Sequence, residues 1–270
     1  MSRVALDLGI IQIYWYSIFI FLGVLFGTIV ILKEAKKQKY DQDFITNLIF
    51  YTVIVALIGA RVYYCLFNLD YYLKYPLEIF QIWNGGLAIH GGIIAGLIFM
   101  FFYTKKYGLK LVKVLDISCV GLILGQSIGR WGNFFNQEAF GRKITRAYLE
   151  NLHLPEFVIN GMHIDGTYYE PTFLYESIWN FIGFIMLVLL RKYKKLKRGQ
   201  LTGFYLIWYG LGRFVIESFR SDSLYLGPLR IAQLVSILMV LTGMFIFLHP
   251  DKDYYDISHY RQENEKEKGC

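Results

Sequence analysis

Gly129-Arg130-Trp131-Gly132-Asn133-Phe134-Phe135-Asn136-Gln137-Glu138-Ala139-Phe140-Gly141 follows directly on an apolar run from Val120 to Ile128. An arginine, two asparagines and a glutamate thus fall at the end of a segment suited to a bilayer interior. Such groups are expensive at a membrane boundary and mark chemistry or a partner. Similar apolar runs recur on both sides. The fold class read from them is an all-α polytopic membrane protein.

Composition points the same way. The 270 residues are 55% hydrophobic and 18% charged, against about 25% charge in a soluble domain. Mean hydropathy is +0.38. A net charge of +7 would suit nucleic acid, but the Lys and Arg residues sit in short loops between apolar runs, as membrane topology requires. The lipid bilayer, not nucleic acid, is the expected surrounding. Cys65, Cys119 and Cys270 are far apart and lack metal spacing, so neither disulfide nor zinc is expected. The apolar run Ile13 to Leu32 exceeds a signal-peptide core of about 7–15 residues, which argues against a cleavable leader.

Seven spans are expected, at about 13–32, 44–67, 86–103, 114–130, 173–190, 201–218 and 231–249, most near the roughly 20 residues that a bilayer demands. Asp116, Arg130, Arg213 and Glu217 interrupt the fourth and sixth. The long loop 131–172 is expected to form a small cap. Residues 1–250 would be the transmembrane catalytic domain and 251–270 a charged cytoplasmic tail. Lys and Arg concentrate in loops one, three and five and in the tail. The positive-inside rule then puts the N-terminus and the cap outside and the C-terminus in the cytoplasm. Gly23/Gly27, Gly92/Gly96 and Gly121/Gly125/Gly129 recur at spacing four, which suits close helix packing in lipid.

Several residues can carry chemistry. Tyr209, Arg213, Glu217 and Arg220 share one helical stripe; a structural Arg213–Glu217 pair is an equal reading. Arg130 adds a second arginine near the same end of the bundle. Two guanidiniums from separate helices suit a shared phosphate, which they bind through paired hydrogen bonds, and in a membrane that phosphate is a lipid headgroup. His90 lies between Gly85-Gly86 and Gly91-Gly92, which permit either a close approach to a ligand or a turn. Arg61 can help set the field or pair with an acid such as Asp116, and a structural role is expected. Trp15-Tyr16 reads as an interfacial anchor or a headgroup contact. Glu176, one turn inside an apolar helix, needs a partner.

The pattern Gly-Arg-x-Gly-Asn-Phe-x-Asn-x-Glu-x-x-Gly at 129–141 resembles the signature of the prolipoprotein diacylglyceryl transferases. Further likeness lies in Trp15-Tyr16, His90-Gly91-Gly92, Pro171-Thr172-Phe173-Leu174-Tyr175-Glu176 and Tyr209-x-x-x-Arg213-x-x-x-Glu217-x-x-Arg220. It covers about residues 10–250. Members often carry His before the Pro-Thr motif, where this chain has Glu170. The resemblance implies a reaction: phosphatidylglycerol gives its diacylglyceryl group to the lipobox cysteine of a prolipoprotein, with release of glycerol 1-phosphate. It implies catalytic candidates His90, Arg130, Arg213, Glu138 and Glu217, and substrate contacts from Arg130, Asn133, Tyr16, Gly141, Tyr209 and Arg220. In that reading Gly141 permits a tight turn. No cofactor or metal is implied.

Competing readings are a transporter of an anionic lipid or solute, another phospholipid-modifying enzyme, and a scaffold. The first leaves the concentration of Arg, Asn and acids at one end unexplained. The second usually needs a metal, and no convincing acidic ligand cluster is read. The third leaves the embedded charges without use.

Overall fold

The computed structural model describes the chain except residues 1–2, 8, 10–11, 194–195, 254 and 256–270, with backbone only at Asn84 and Leu226. Lys194, Lys195, most of the charged tail and Cys270 therefore lie outside the described residues. Two compact units are present, residues 1–31 with 115–270, and residues 32–114.

A hairpin of β1 (Val4–Asp7) and β2 (Gln12–Tyr14) precedes α1 (Trp15–Lys37). Then come α2 (Gln42–Phe67), a short α3 (Leu69–Tyr72), α4 (Ile89–Lys106) and α5 (Leu111–Asn136). An insertion follows, with β3 (Lys143–Ile144), α6 (Arg146–Asn151), α7 (Glu156–Gly161), β4 (His163–Ile164) and β5 (Thr167–Tyr169). The chain continues through α8 (Thr172–Leu190) and α9 (Gln200–Glu217), a hairpin of β6 (Tyr225–Leu226) and β7 (Leu229–Arg230), and α10 (Ile231–Leu248).

The segments expected to span overlap α1, α2, α4, α5, α8, α9 and α10. Five of them, α1, α2, α5, α8 and α10, are long and apolar enough to cross a membrane. Of the other two, α4 ends in Lys105 and Lys106 and α9 contains Arg213 and Glu217. Large apolar side chains such as Phe21, Ile58, Phe102 and Leu238 point outward. Water does not tolerate apolar surface on that scale, whereas lipid does.

Three helices depart from their expected bounds by three residues or more: α1 runs on to Lys37, α4 is shifted three residues toward the C-terminus, and α5 is longer at both ends. The fourth span does not stop at Arg130; α5 runs on to Asn136. Its polar residues do not end the helix because they satisfy one another, as described below.

Within the first unit, α1 and α5 meet at glycines. A Cβ on Gly23 would lie 2.8 Å from the Gly125 carbonyl oxygen, and one on Gly27 equally close to that of Gly121. The four-residue spacing thus serves packing. Cys119, Val120, Ile123, Leu187 and Leu201 form a buried core among α5, α8 and α9.

The insertion is a three-stranded antiparallel sheet, order β3-β5-β4, turned at Asp165 and Gly166, both with positive φ, as a tight hairpin requires. Phe134, Leu149, Val158, Ile159, Met162 and Phe173 fill its core, so it packs on the ends of α5 and α8.

In the second unit, Arg61 of α2 donates to four main-chain carbonyls, those of Glu78, Ile79, Gly85 and Gly86. Gly85 and Gly86 adopt φ of 84° and 73°, which only glycine takes at little cost. Arg61 is structural, as expected, but its partners are carbonyls. Asp116 has partners of its own on α9, so the proposed Arg61–Asp116 pair is corrected.

Candidate active site

The signature folds around a helix end. Gln137, with φ of 52°, reverses the chain after α5. The Gln137 and Glu138 N–H groups donate back to Phe134 and Asn133, the helix-terminating pattern in which a left-handed residue caps the last turn. The reversal returns Glu138 to the helix it has just left. One carboxylate oxygen accepts from Asn133 Nδ2 at 2.8 Å and the other from Asn136 Nδ2 at 3.2 Å. The Asn-x-x-Asn-x-Glu spacing is thereby explained. Asn133 Oδ1 in turn accepts from Arg130 Nη1 at 3.3 Å.

Beyond the reversal, the signature is knitted to the start of α8. Thr172 Oγ1 donates to the Ala139 carbonyl at 2.5 Å. Gly141 N–H donates to the Glu170 carbonyl, and Glu170 N–H to that of Arg142, both at 2.9 Å. A Cβ on Gly141 would come within 2.8 Å of Glu170 Cβ. The tight-turn reading of Gly141 is therefore corrected: the positive φ values fall at Gln137 and Ala139, and Gly141 is small because α8 begins against it.

Three helices then bring charge together. Arg130 Nη2 of α5 lies 2.6 Å from Glu176 Oε1 of α8, and Arg213 Nη1 of α9 lies 3.2 Å from Glu176 Oε2. Arg213 Nη2 also reaches Glu217 Oε2 at 2.7 Å. Glu176 is the residue whose role the sequence left open. Its side chain is 5% exposed, against 22% for Arg130 and 16% for Arg213, so the arginines face the accessible side. Glu176 Oε1 and Glu217 Oε2 make these contacts by proximity of charge, without an aligned hydrogen bond. Each guanidinium has five N–H donors, more than these contacts occupy.

Neighbouring contacts hold the helices in place. Ser127 Oγ and Ser177 Oγ each donate to the other's carbonyl, at 2.8 and 2.9 Å, joining α5 to α8. Trp179 and Trp208 stack with centroids 4.3 Å apart, and each indole N–H donates to the other's carbonyl, at 2.9 and 3.0 Å, joining α8 to α9. Trp15 stacks on Phe135 at 5.0 Å, so it packs on α5.

The expected site residues divide. Arg130, Asn133, Glu138, Arg213 and Glu217 belong to one connected network. Tyr209 lies beside Arg130, and Tyr16 packs on Gly132, whose added Cβ would be 3.0 Å from the ring. Arg220 is held by both oxygens of Asp222 at 2.9 Å and is 3.9 Å from Glu217. Burial alone would raise the Asp222 carboxyl, but the Arg220 hydrogen bond prevails and holds it below its ordinary value. His90 lies in the second unit, in the first turn of α4, exposed, with its ring 6.4 Å from that of Tyr63.

Fold and site together define a multi-pass helical membrane protein with an arginine–carboxylate network built across three helices. Residues 3–249 match the model of the prolipoprotein diacylglyceryl transferase family. A phosphatidylglycerol–prolipoprotein diacylglyceryl transferase of Bacillus licheniformis is 46% identical over 263 residues, 97% of each chain. Relatives of the same name from Bacillus cereus and Bacillus anthracis are 49% identical over 249 residues, 92% of each chain. The chain belongs to the prolipoprotein diacylglyceryl transferase family.

Proposed function

We propose that the Arg130–Glu176–Arg213 cluster is where this chain transfers the diacylglyceryl group of phosphatidylglycerol to the lipobox cysteine of a prolipoprotein. The observation that carries this is the sharing of one buried carboxylate, Glu176, by two arginines from different helices, one of which, Arg130, belongs to the signature of the family. The bond that breaks joins the diacylglyceryl carbon to a phosphate oxygen, and the bond that forms is a thioether. Negative charge therefore grows on the departing phosphate. Arg130 and Arg213, fixed in place before reaction, stabilise it without reorganising. Glu176, Glu217 and the Asn133–Glu138 pair hold the two guanidiniums in orientation.

Asn133, Tyr16, Tyr209 and Arg220 contact the headgroup, and Gly141 keeps α8 close to the signature. The thiol, with an ordinary pKa of about 8.5, attacks as the thiolate. His90 takes its proton or hydrogen-bonds the substrate, a role that rests on the family resemblance alone. Transfer from a headgroup labelled in its phosphate tests the reading: labelled glycerol phosphate is released only when a lipobox peptide with a free thiol is present. Release without the peptide, or equally with a Cys→Ser peptide, contradicts it.

All seven long helices span the bilayer, with the N-terminus and the insertion outside and the C-terminus in the cytoplasm. The support is the charge asymmetry of the loops. That orientation places the signature where a secreted precursor emerges. A reporter at residue 155 is then accessible from outside, and one in loop 191–200 only from the cytoplasm. Reversed labelling overturns the topology.

A further inference from the structure

Asp116 is fully buried in α5, yet it contributes nothing to the arginine network. Its carboxylate receives three short hydrogen bonds from α9: Gly199 N–H at 2.6 Å to Oδ2, and Thr202 N–H at 2.9 Å and Thr202 Oγ1 at 2.6 Å to Oδ1. Gly199 is the N-cap of α9, in a left-handed conformation and without a side-chain cap of its own. A helix start leaves backbone N–H groups without partners, normally met by a nearby Ser, Thr, Asn or Asp. Here a carboxylate on another helix meets them, and its charge suits the positive end of the helix dipole.

The heights match. Arg130 is fourteen residues beyond Asp116 in α5, and Arg213 fourteen beyond Gly199 in α9. Each arginine therefore stands about 21 Å along its helix from the clamp. Partway up, Gln126 Nε2 donates to Tyr205 Oη at 3.0 Å, a second contact between the same two helices.

We infer that Asp116 is a positioning residue for the transfer reaction: by fixing the axial register of α9 on α5, it sets Arg213 level with Arg130 on the shared anion. The inference rests on the phosphate-clamp reading above. Without the clamp, α9 shifts along its axis and Arg213 leaves its place. A misplacement of about 1 Å arising far from the chemistry can cost about 10²-fold in rate.

The test is a double-mutant cycle on the full-length protein, with kcat, KM for phosphatidylglycerol and thermal midpoint measured for each variant. Asp116→Asn keeps the size of the side chain and one acceptor but loses the charge and the acceptor for Gly199. It is expected to lower kcat about 10- to 100-fold. In an Arg213→Ala background the same change is expected to lower kcat less than about threefold, because the contribution of Arg213 is already removed. Thr202→Val removes only the hydroxyl donor, gives the same pattern with a smaller loss, and decides the matter if Asp116→Asn does not fold. Equal losses in both backgrounds, or a lowered midpoint with kcat unchanged, overturn the inference. If Arg213→Ala alone leaves kcat unchanged, the clamp reading fails first and the inference falls with it.

Discussion

Replacing Arg130 or Arg213 by alanine is expected to lower turnover by about 10²–10³-fold each, the usual effect of removing a donor aimed at developing charge. Lysine at either position keeps the charge but loses the planar fork that grips two oxygens at once, so it should also impair turnover, though less than alanine. The two arginines meet at the same carboxylate, with contacts of 2.6 and 3.2 Å. They are therefore expected to act as a unit, and the double alanine variant should lose much less than the product of the single losses. A purely structural Arg213–Glu217 pair would behave differently. Alanine at 213 would then cost folded protein, and apolar replacement of both partners would restore it. Folded, inserted Arg213→Ala protein with near-normal turnover would refute the clamp.

Glu176 gives the second large effect. It both holds the two guanidiniums and competes with any phosphate for them. Glu176→Gln keeps the shape and removes the charge. Breaking a buried ion pair by removing one partner costs about 3–5 kcal/mol, so the thermal midpoint should fall by several degrees. With its competitor gone, the anionic headgroup should bind more tightly and KM should fall. With the guanidiniums no longer held in place, kcat should fall by about 10²-fold. A drop in both kcat and KM is the diagnostic result. Unchanged stability together with unchanged kinetics would remove Glu176 from the account.

The helices were legible in the sequence because lipid imposes length and apolarity on every span. Their ends were less so. The expectation that α5 stops at Arg130 treated the polar residues beyond it as a boundary. In the fold, Asn133 and Asn136 keep helical geometry because Glu138 turns back to meet both. The small sheet of the insertion was not legible, since strands of two or three residues are too short to show an alternating pattern.

Pairings between distant helices escaped for a different reason. Arg130 and Arg213 stood out because each is costly in a membrane, and the same logic marked Glu176 as needing a partner. Periodicity along one helix cannot say which residue of another helix that partner is. Asp116 illustrates the point. Its partners lie more than eighty residues away at the start of α9, and two of the three donors are backbone N–H groups, which leave no mark in the sequence. The glycine pairs of α1 and α5 were read correctly as packing, because small residues at spacing four have one dominant use in lipid.

The central claim is that this chain alkylates a cysteine thiol with a lipid, and the mass of the acceptor tests it most directly. Purified protein in a lipid environment would be incubated with phosphatidylglycerol and a lipobox peptide, and the peptide weighed. The account predicts a gain of one diacylglyceryl group on the cysteine, absent from a Cys→Ser peptide and strongly reduced with the Arg130→Ala and Arg213→Ala proteins. A peptide of unchanged mass, from folded protein supplied with both substrates, would contradict it.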